Sequence, residues 1–311
     1  MRMIGEHELQ ERLGWTRLIE AIEAELKAGR VASPERTNIE IPLPDGGTAN
    51  LLIMPAWIEG EAIGVKIVTF FPGNGAKGLA TINATYALFD GADGRFQAVI
   101  EGDELTARRT AAASALAARF LARGRATCLL VVGTGQLSAK IAAAHASVRA
   151  YERIEIHGRS AEKASAVVAT LQAAGLPAVV SADLEASVRT ADVVSCVTSS
   201  SAPLILGAWV QPGTHVDLVG AFKADMRESD DDLVRAARLF VDFRPGAMKA
   251  GDLAQPLEAG LIAPADVLAD LAELARGEHF GRGSDEEITL FKSAGFSLLD
   301  LAAARLAVGE V

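Results

Sequence analysis

Two cysteines are too few for a disulfide framework, and both stand in apolar, strand-like runs: Cys128 before Leu129-Leu130-Val131-Val132, and Cys196 after Val193-Val194-Ser195. They read as buried free thiols in a reducing compartment. Positive charge is scarce too. Thirty Lys and Arg against forty Asp and Glu leave a net charge of −10. That balance argues against a nucleic-acid or anionic-membrane surface, so any anionic ligand must be held by local cations against the field of the whole molecule. The longest apolar helical stretch, residues 106–121, is interrupted by Arg108, Arg109 and Arg119. It is too short and too charged to span a bilayer. Residues 1–10 carry Glu6 and Glu8 and no apolar segment of the signal-peptide kind, so a cytoplasmic location is expected.

What remains is a chain of 311 residues, half of them apolar, enough for one large domain or two ordinary ones. Residues 9–28 have helical spacing of Leu13, Leu18, Ile22 and Leu26, ending at Gly29. Strand-like runs follow at 37–41, 49–54, 64–71, 82–89 and 97–101, separated by turn signals such as Pro44-Asp45-Gly46-Gly47. This half reads as a mostly antiparallel sheet with a flanking helix. After Thr106 the pattern alternates: strands at 127–132, 153–157, 178–180, 193–197, 215–218 and 239–241, with helices at 137–147 and 161–174 among them. Such alternation makes a parallel sheet covered by helices on both faces. The expected class is α/β, a doubly wound Rossmann-type domain (109–295) beside a smaller α+β domain (1–108). The last helix, 296–307, returns to the smaller domain.

The turn Gly133-Thr134-Gly135-Gln136-Leu137-Ser138 follows an apolar strand. Glycines let backbone approach a pyrophosphate, and the next helix N-terminus favours its charge. Ser138 stands where a third glycine is usual, so taken alone the turn also suits an ordinary strand–turn–helix. At the tip of the second strand the chain reads His157-Gly158-Arg159-Ser160. An NAD site usually places an acid there, whereas a 2′-phosphate needs a cation and hydroxyls. Arg159 and Ser160 fit the second case, so NADP(H) is preferred and NAD(H) stays open; a solvated surface Arg is the plainer alternative. Thr198, in Val197-Thr198-Ser199-Ser200, ends a strand on the same edge and suits either a cofactor contact or a helix cap. Arg109 opens an Ala-rich helix in which Leu105-Thr106 is the expected N-cap, and a first-turn Arg opposes the helix dipole. Lys66 interrupts the apolar strand Gly64-Val65-Lys66-Ile67-Val68; alternation alone leaves it facing solvent or facing inward. Buried near Arg109, it would have a lowered pKa and be able to exchange protons near neutrality.

Taken together, Lys66, Phe71-Pro72-Gly73-Asn74, Gly78-Leu79, Thr81, Asp90-Gly91, the run Leu105 to Ala112 with Arg109-Thr110-Ala111-Ala112, and the glycine turn resemble the ornithine cyclodeaminase/mu-crystallin family along nearly the whole chain. The resemblance implies a carboxylate pocket of Arg36, Lys66 and Arg109 facing a nicotinamide, with Thr81, Thr198, Val219 and Ser293 near the cofactor and Ala294 near the substrate. It also implies a homodimer in which the open face of the small sheet is paired. Cyclodeaminases of the family carry a proton-handling Asp just after a strand end. Anchoring Val219 to Glu228 on Gly220 and Glu228 puts Phe222 in that place, with Asp225 three residues on. Phenylalanine cannot take a proton from an ammonium, so the chain looks more like the family's ketimine reductases. Their reaction reduces a small cyclic imino acid such as 1-pyrroline-2-carboxylate. The rivals are ornithine cyclodeamination with bound NAD, amino-acid dehydrogenation, and cofactor binding with little turnover.

Overall fold

A computed structural model describes residues 2–310. The chain begins β1 (Arg2–Ile4), α1 (Glu6–Arg12), α2 (Trp15–Ala28), β2 (Val31–Ala32), β3 (Thr37–Pro42), β4 (Thr48–Ile58) and β5 (Ala62–Phe70). It continues with β6 (Ile82–Asp90), β7 (Phe96–Glu101), α3 (Gly102–Leu121), β8 (Cys128–Val132), α4 (Ser138–Val148), β9 (Arg153–His157) and α5 (Ala161–Ala173). Then come β10 (Ala178–Val180), α6 (Leu184–Thr190), β11 (Val193–Cys196), β12 (His215–Leu218), α7 (Asp231–Ala236), β13 (Arg238–Val241) and α8 (Arg244–Ala247). The last are α9 (Gly251–Glu258), β14 (Val267–Asp270), α10 (Leu271–Ala275), β15 (Thr289–Lys292) and α11 (Ser297–Val308).

Two compact units divide the chain: the residues up to Arg109 together with those from Phe296 on, and Thr110–Gly295 between them. Arg109, assigned to the second domain from the sequence, belongs to the first unit, where its side chain is bound. The first unit is one sheet of order β1-β7-β6-β5-β4-β2 with β3 also on β4. Only β1 runs parallel to its neighbour β7. Along β5, Ala62, Gly64 and Lys66 face inward and Ile63 and Ile67 face out, the period-2 alternation of a half-covered strand. Helices α2 and α11 pack against one another, and α11 lies on β4 and β5. Helix α2 presents Leu18, Ile19, Ile22 and Leu26 to this core. By contrast α11 is buried from Ser297 through Ala307, as expected of a helix apolar nearly all round. The opposite face of the sheet leaves Ile39, Trp57, Ile63, Ile67 and Phe96 exposed.

Two sequence expectations change here. The 9–28 helix is two helices, broken at Leu13 and Gly14. Gly14 is extended, and the Leu13 carbonyl accepts from Arg108 Nη1 at 2.8 Å. Helix α3 starts at Gly102 rather than near Thr106. The Glu101 carboxylate accepts from the amides of Asp103 and Glu104 at 2.9 and 2.7 Å, satisfying two donors that a helix start leaves bare. Arg109 therefore lies in the second turn, and the dipole argument for it falls away. Cys128 is only half-buried and Cys196 is buried; both are free.

The second unit is an eight-stranded sheet of order β10-β9-β8-β11-β12-β15-β13-β14, parallel at every pairing. From β8 the chain winds one way to β9 and β10, then returns to add β11 and β12 on the other side. The winding reverses between β8 and β11, and the space beyond the carboxyl ends at such a reversal is the usual ligand position in these sheets. Leu130, Val132, Val194, Cys196, Val216, Leu218 and Leu290 fill the core between this sheet and its helices.

Candidate active site

In the first unit, β5 brings Lys66 to the inner face of the sheet and α3 brings Arg109 towards it. Both are almost fully buried, at 2% and 5% exposure. They meet on one acid. Asp300 of α11 accepts from Lys66 Nζ and from Arg109 Nε through the same oxygen, Oδ1, at 2.9 Å each. Burial is the largest influence on Lys66 and, with the Arg109 charge, takes its pKa down to about 8. Asp300 pulls it back up, and Arg36, half-buried ahead of β3, lowers it further. Two cations thus share one carboxylate oxygen, with the Arg36 charge felt by Lys66 as well, an arrangement that favours an anion. Arg108 is no solvated residue: its guanidinium packs over the Trp15 ring at 4.8 Å and bonds Glu104 at 2.8 Å. Thr81 lies in the loop before β6, half-buried, its carbonyl accepting from Phe71 at 2.8 Å.

Tyr86 sits opposite Lys66 in the β5–β6 register. Its ring is buried across Gly64, where a Cβ would stand 1.8 Å from the phenol oxygen, so only glycine fits beneath it. Neither Asp300 nor Tyr86 was identified from the sequence. A lone acid in Leu298-Leu299-Asp300-Leu301-Ala302 was the available signal, since a charge on a helix buried on every side needs a partner.

In the second unit the expected cofactor residues fall in segments following neighbouring parallel strands, on one edge of the sheet. Gly133 follows β8 at φ +129, a conformation suited to glycine, and a Cβ there would stand 2.8 Å from the Val197 carbonyl. Gly135 and Gln136 are exposed, and nothing lies within 4 Å of a Cβ built at Gly135. Leu137 precedes α4. Backbone open to close approach ahead of an eleven-residue helix fits a dinucleotide pyrophosphate. After β9, Arg159 is exposed, and Ser160 caps α5 by accepting from Lys163 at 3.3 Å.

Thr198 and Val219, after β11 and β12, are fixed from behind. Glu228, fully buried, accepts from the Thr198 amide at 2.7 Å and hydroxyl at 2.8 Å, and from the Gly220 amide at 2.9 Å. Val219 donates to the Cys196 carbonyl at 2.9 Å. Burial pushes the Glu228 carboxyl up. Asp242 does the same for the segment after β15: its Oδ2 accepts from the Ser293 hydroxyl at 2.8 Å and from the Ala294 and Gly295 amides at 3.0 and 2.6 Å. Phe222 is half-buried in the loop after β12 and Asp225 is exposed. Lys223 Nζ stands 6.0 Å from the Phe222 ring centre.

Residues 2–310 match the model of the Ornithine cyclodeaminase/mu-crystallin family. The chain belongs to that family. A Delta(1)-pyrroline-2-carboxylate reductase of Paracoccus denitrificans is 40% identical over 93% of this chain and 90% of its own length. The solved Delta(1)-pyrroline-2-carboxylate reductase of Thermococcus litoralis, in complex with NADH and L-proline, superposes with a TM-score of 0.93 at 30% identity, covering 100% of this chain and 97% of its own. An archaeal alanine dehydrogenase dimer with bound NAD gives a TM-score of 0.92 at 28% identity, over 100% and 95% of the two chains.

Proposed function

We propose that this chain reduces a small cyclic ketimine carboxylate, of which 1-pyrroline-2-carboxylate is the type, to the cyclic amino acid. The observation that carries the reading is the buried trio of Lys66, Arg109 and Asp300, in a chain whose relatives include pyrroline-2-carboxylate reductases. Arg109, Lys66 and Arg36 hold the substrate carboxylate, fixing the ring so that its protonated C=N carbon is presented for attack. When bound, the nicotinamide supplies the hydride to that carbon. Orientation and electrostatics supply the rest.

The cofactor is held by Gly133, Gly135, Gln136 and Leu137 at the pyrophosphate, with Thr81, Thr198, Val219 and Ser293 lining its other half. The Thermococcus litoralis reductase structure holds NADH and the archaeal alanine dehydrogenase NAD; for this chain we read NADPH as preferred, because His157-Gly158-Arg159-Ser160 offers a cation and no acid. Phe222 and Ala294 wall the substrate. An aromatic side chain suits a compact apolar ring, whereas an ornithine ammonium would stand unpaired there. The apolar outer face of the first unit's sheet is covered by a second copy in a homodimer, an isologous contact. Two free thiols suit the reducing cytoplasm, and among the described residues no helix is long and apolar enough to cross a membrane.

The test is a crossed assay of the purified protein: NADPH or NADH with pyrroline-2-carboxylate, then NAD with L-ornithine. Loss of reduced-nicotinamide absorbance with the imine, fastest with NADPH, and no ammonia from ornithine is the expected result. Ammonia and proline from ornithine would make the chain a cyclodeaminase, and no turnover in either arm would leave a cofactor-binding protein. A monomer by light scattering at micromolar concentration would remove the dimer.

A further inference from the structure

Asp300 belongs to the buried trio but takes no part in holding the substrate carboxylate, although Lys66 and Arg109 are both bonded to it. It sits on α11, some 190 residues from Arg109 and 230 from Lys66 in sequence (separations of 191 and 234). It is completely buried, and only Oδ1 is engaged; among the described residues Oδ2 has no hydrogen-bond partner. What distinguishes Asp300 is that its one engaged oxygen carries two cations, whereas Asp252 binds the single cation Lys292 with Oδ2 and the Glu228 and Ser229 amides with Oδ1.

We propose that Asp300 is a positioning residue of the substrate site, its Oδ1 pinning the Lys66 ammonium and the Arg109 guanidinium together and holding both as cations to receive a carboxylate. The inference rests on the carboxylate pocket proposed above and deepens it. Lysine in a dry strand loses its charge unless an anion stands beside it. The groups that face Lys66 are Arg109 from α3, Arg36 from the segment before β3, Tyr86 from β6 and Asp300 from α11. Two of these are cations that drive the proton off. Tyr86 is uncharged near neutrality, because burial and the Asp300 charge raise its phenol. Asp300 is the single anion among them. It holds Lys66 charged up to about pH 8, which spans the neutral range in which the substrate carboxylate is ionised.

The Asp300→Asn substitution keeps the shape and the accepting oxygen and removes the charge. The probe is pyrrole-2-carboxylate, an anion of similar outline whose ring nitrogen does not titrate between pH 6 and 9. Its inhibition constant with the holoenzyme therefore follows the protein's own groups. In the unmutated enzyme, inhibition should weaken as pH rises through about 8. In Asp300→Asn that limb should move at least one pH unit towards acid, with inhibition weakened roughly tenfold at pH 7.5 and the dissociation constant of NADPH unchanged. A limb left in place in folded Asp300→Asn overturns the proposal. Arg109→Ala is the control on the parent reading: unchanged pyrrole-2-carboxylate binding in that variant removes the carboxylate pocket and the proposal with it. Should Asp300→Asn be insoluble, the Lys66→Met/Asp300→Asn double substitution decides. Recovery of a soluble protein supports a charge balance between the two, and continued failure overturns it.

Discussion

Two lysines stand in apolar strands of this chain, Lys66 in β5 and Lys292 in β15, and both are buried with an aspartate at hydrogen-bond distance. Their surroundings differ in charge balance. Lys292 has Asp252 to itself among cations, and the remaining oxygen of Asp252 takes two amides and the Ser229 hydroxyl at 2.8 to 3.2 Å. Both Asp252 oxygens are engaged, and the buried Glu228 adds a second anion near Lys292. Lys66 shares one oxygen of Asp300 with Arg109, has Arg36 near, and leaves the second oxygen unused. A buried pair whose acid has both oxygens engaged holds loops in place, whereas two cations on a single carboxylate oxygen keep binding capacity for an anion. Through Asp252 and the Glu228 backbone, the Lys292 network steadies the segment that carries Glu228, and so the Thr198 and Gly220 loops. The role of a buried cation follows from the charges and acceptors around it, and not from its burial.

Breaking the Lys292–Asp252 pair should give the largest effect. Lys292→Met leaves Asp252 charged and buried without its cation, which should cost about 3 to 5 kcal/mol in urea unfolding. A loss under about 1 kcal/mol would show that the amide and hydroxyl donors alone carry Asp252. On the other side, Arg109→Ala should leave the fold intact and lower kcat/KM by about 2 to 4 kcal/mol, roughly 30- to 1,000-fold, through loss of a charge-assisted contact. Kinetics within threefold of wild type would take Arg109 out of the site.

Lys66→Met sharpens the contrast through pH. Below about pH 8 Lys66 is protonated in both folded and unfolded chains, so the folded state bears the full cost of its burial. Between about 8 and the ordinary 10.5, the unfolded chain keeps a proton that the folded one has released. Wild-type stability therefore gains from this group, by up to about 1.4 kcal/mol per pH unit, as pH rises across that window. Lys66→Met lacks this dependence. Its advantage over wild type should be greatest at pH 7 to 8 and vanish towards 10.5, measured by urea unfolding at a series of pH values. An advantage constant across the window would mean Lys66 is not held at a lowered pKa. The smallest effect is expected at the exposed Arg159. Arg159→Asp should shift preference from NADPH towards NADH by about 1 to 2 kcal/mol, read by fluorescence titration, since one exposed charge is partly screened. Tighter NADH than NADPH binding by the unmutated protein would reverse the cofactor reading.

Periodicity alone determined much of this molecule. Strands 153–157, 178–180 and 215–218 stand where alternating and apolar runs placed them, because a strand's side-chain period is a local property. The glycine turn after β8 was equally visible, since a positive φ beside a close carbonyl leaves few residues to choose from. The break at Leu13-Gly14 and the early start of α3 were not, because each depends on a partner outside its own segment: Arg108 for the first, the Glu101 carboxylate for the second. The direction of Lys66 was undecided in the sequence for the same reason, as alternation gives a phase and not a side. The tertiary structure decided it by laying α11 across β5 and placing Asp300 within 2.9 Å of both Lys66 and Arg109. Glu228 and Asp242 were likewise invisible as supports, since the Thr198 and Ser293 segments they hold lie 30 and 51 residues away. Short-range pattern and turn chemistry are written in consecutive residues, whereas charge balance in a dry interior is set by groups that only folding brings together.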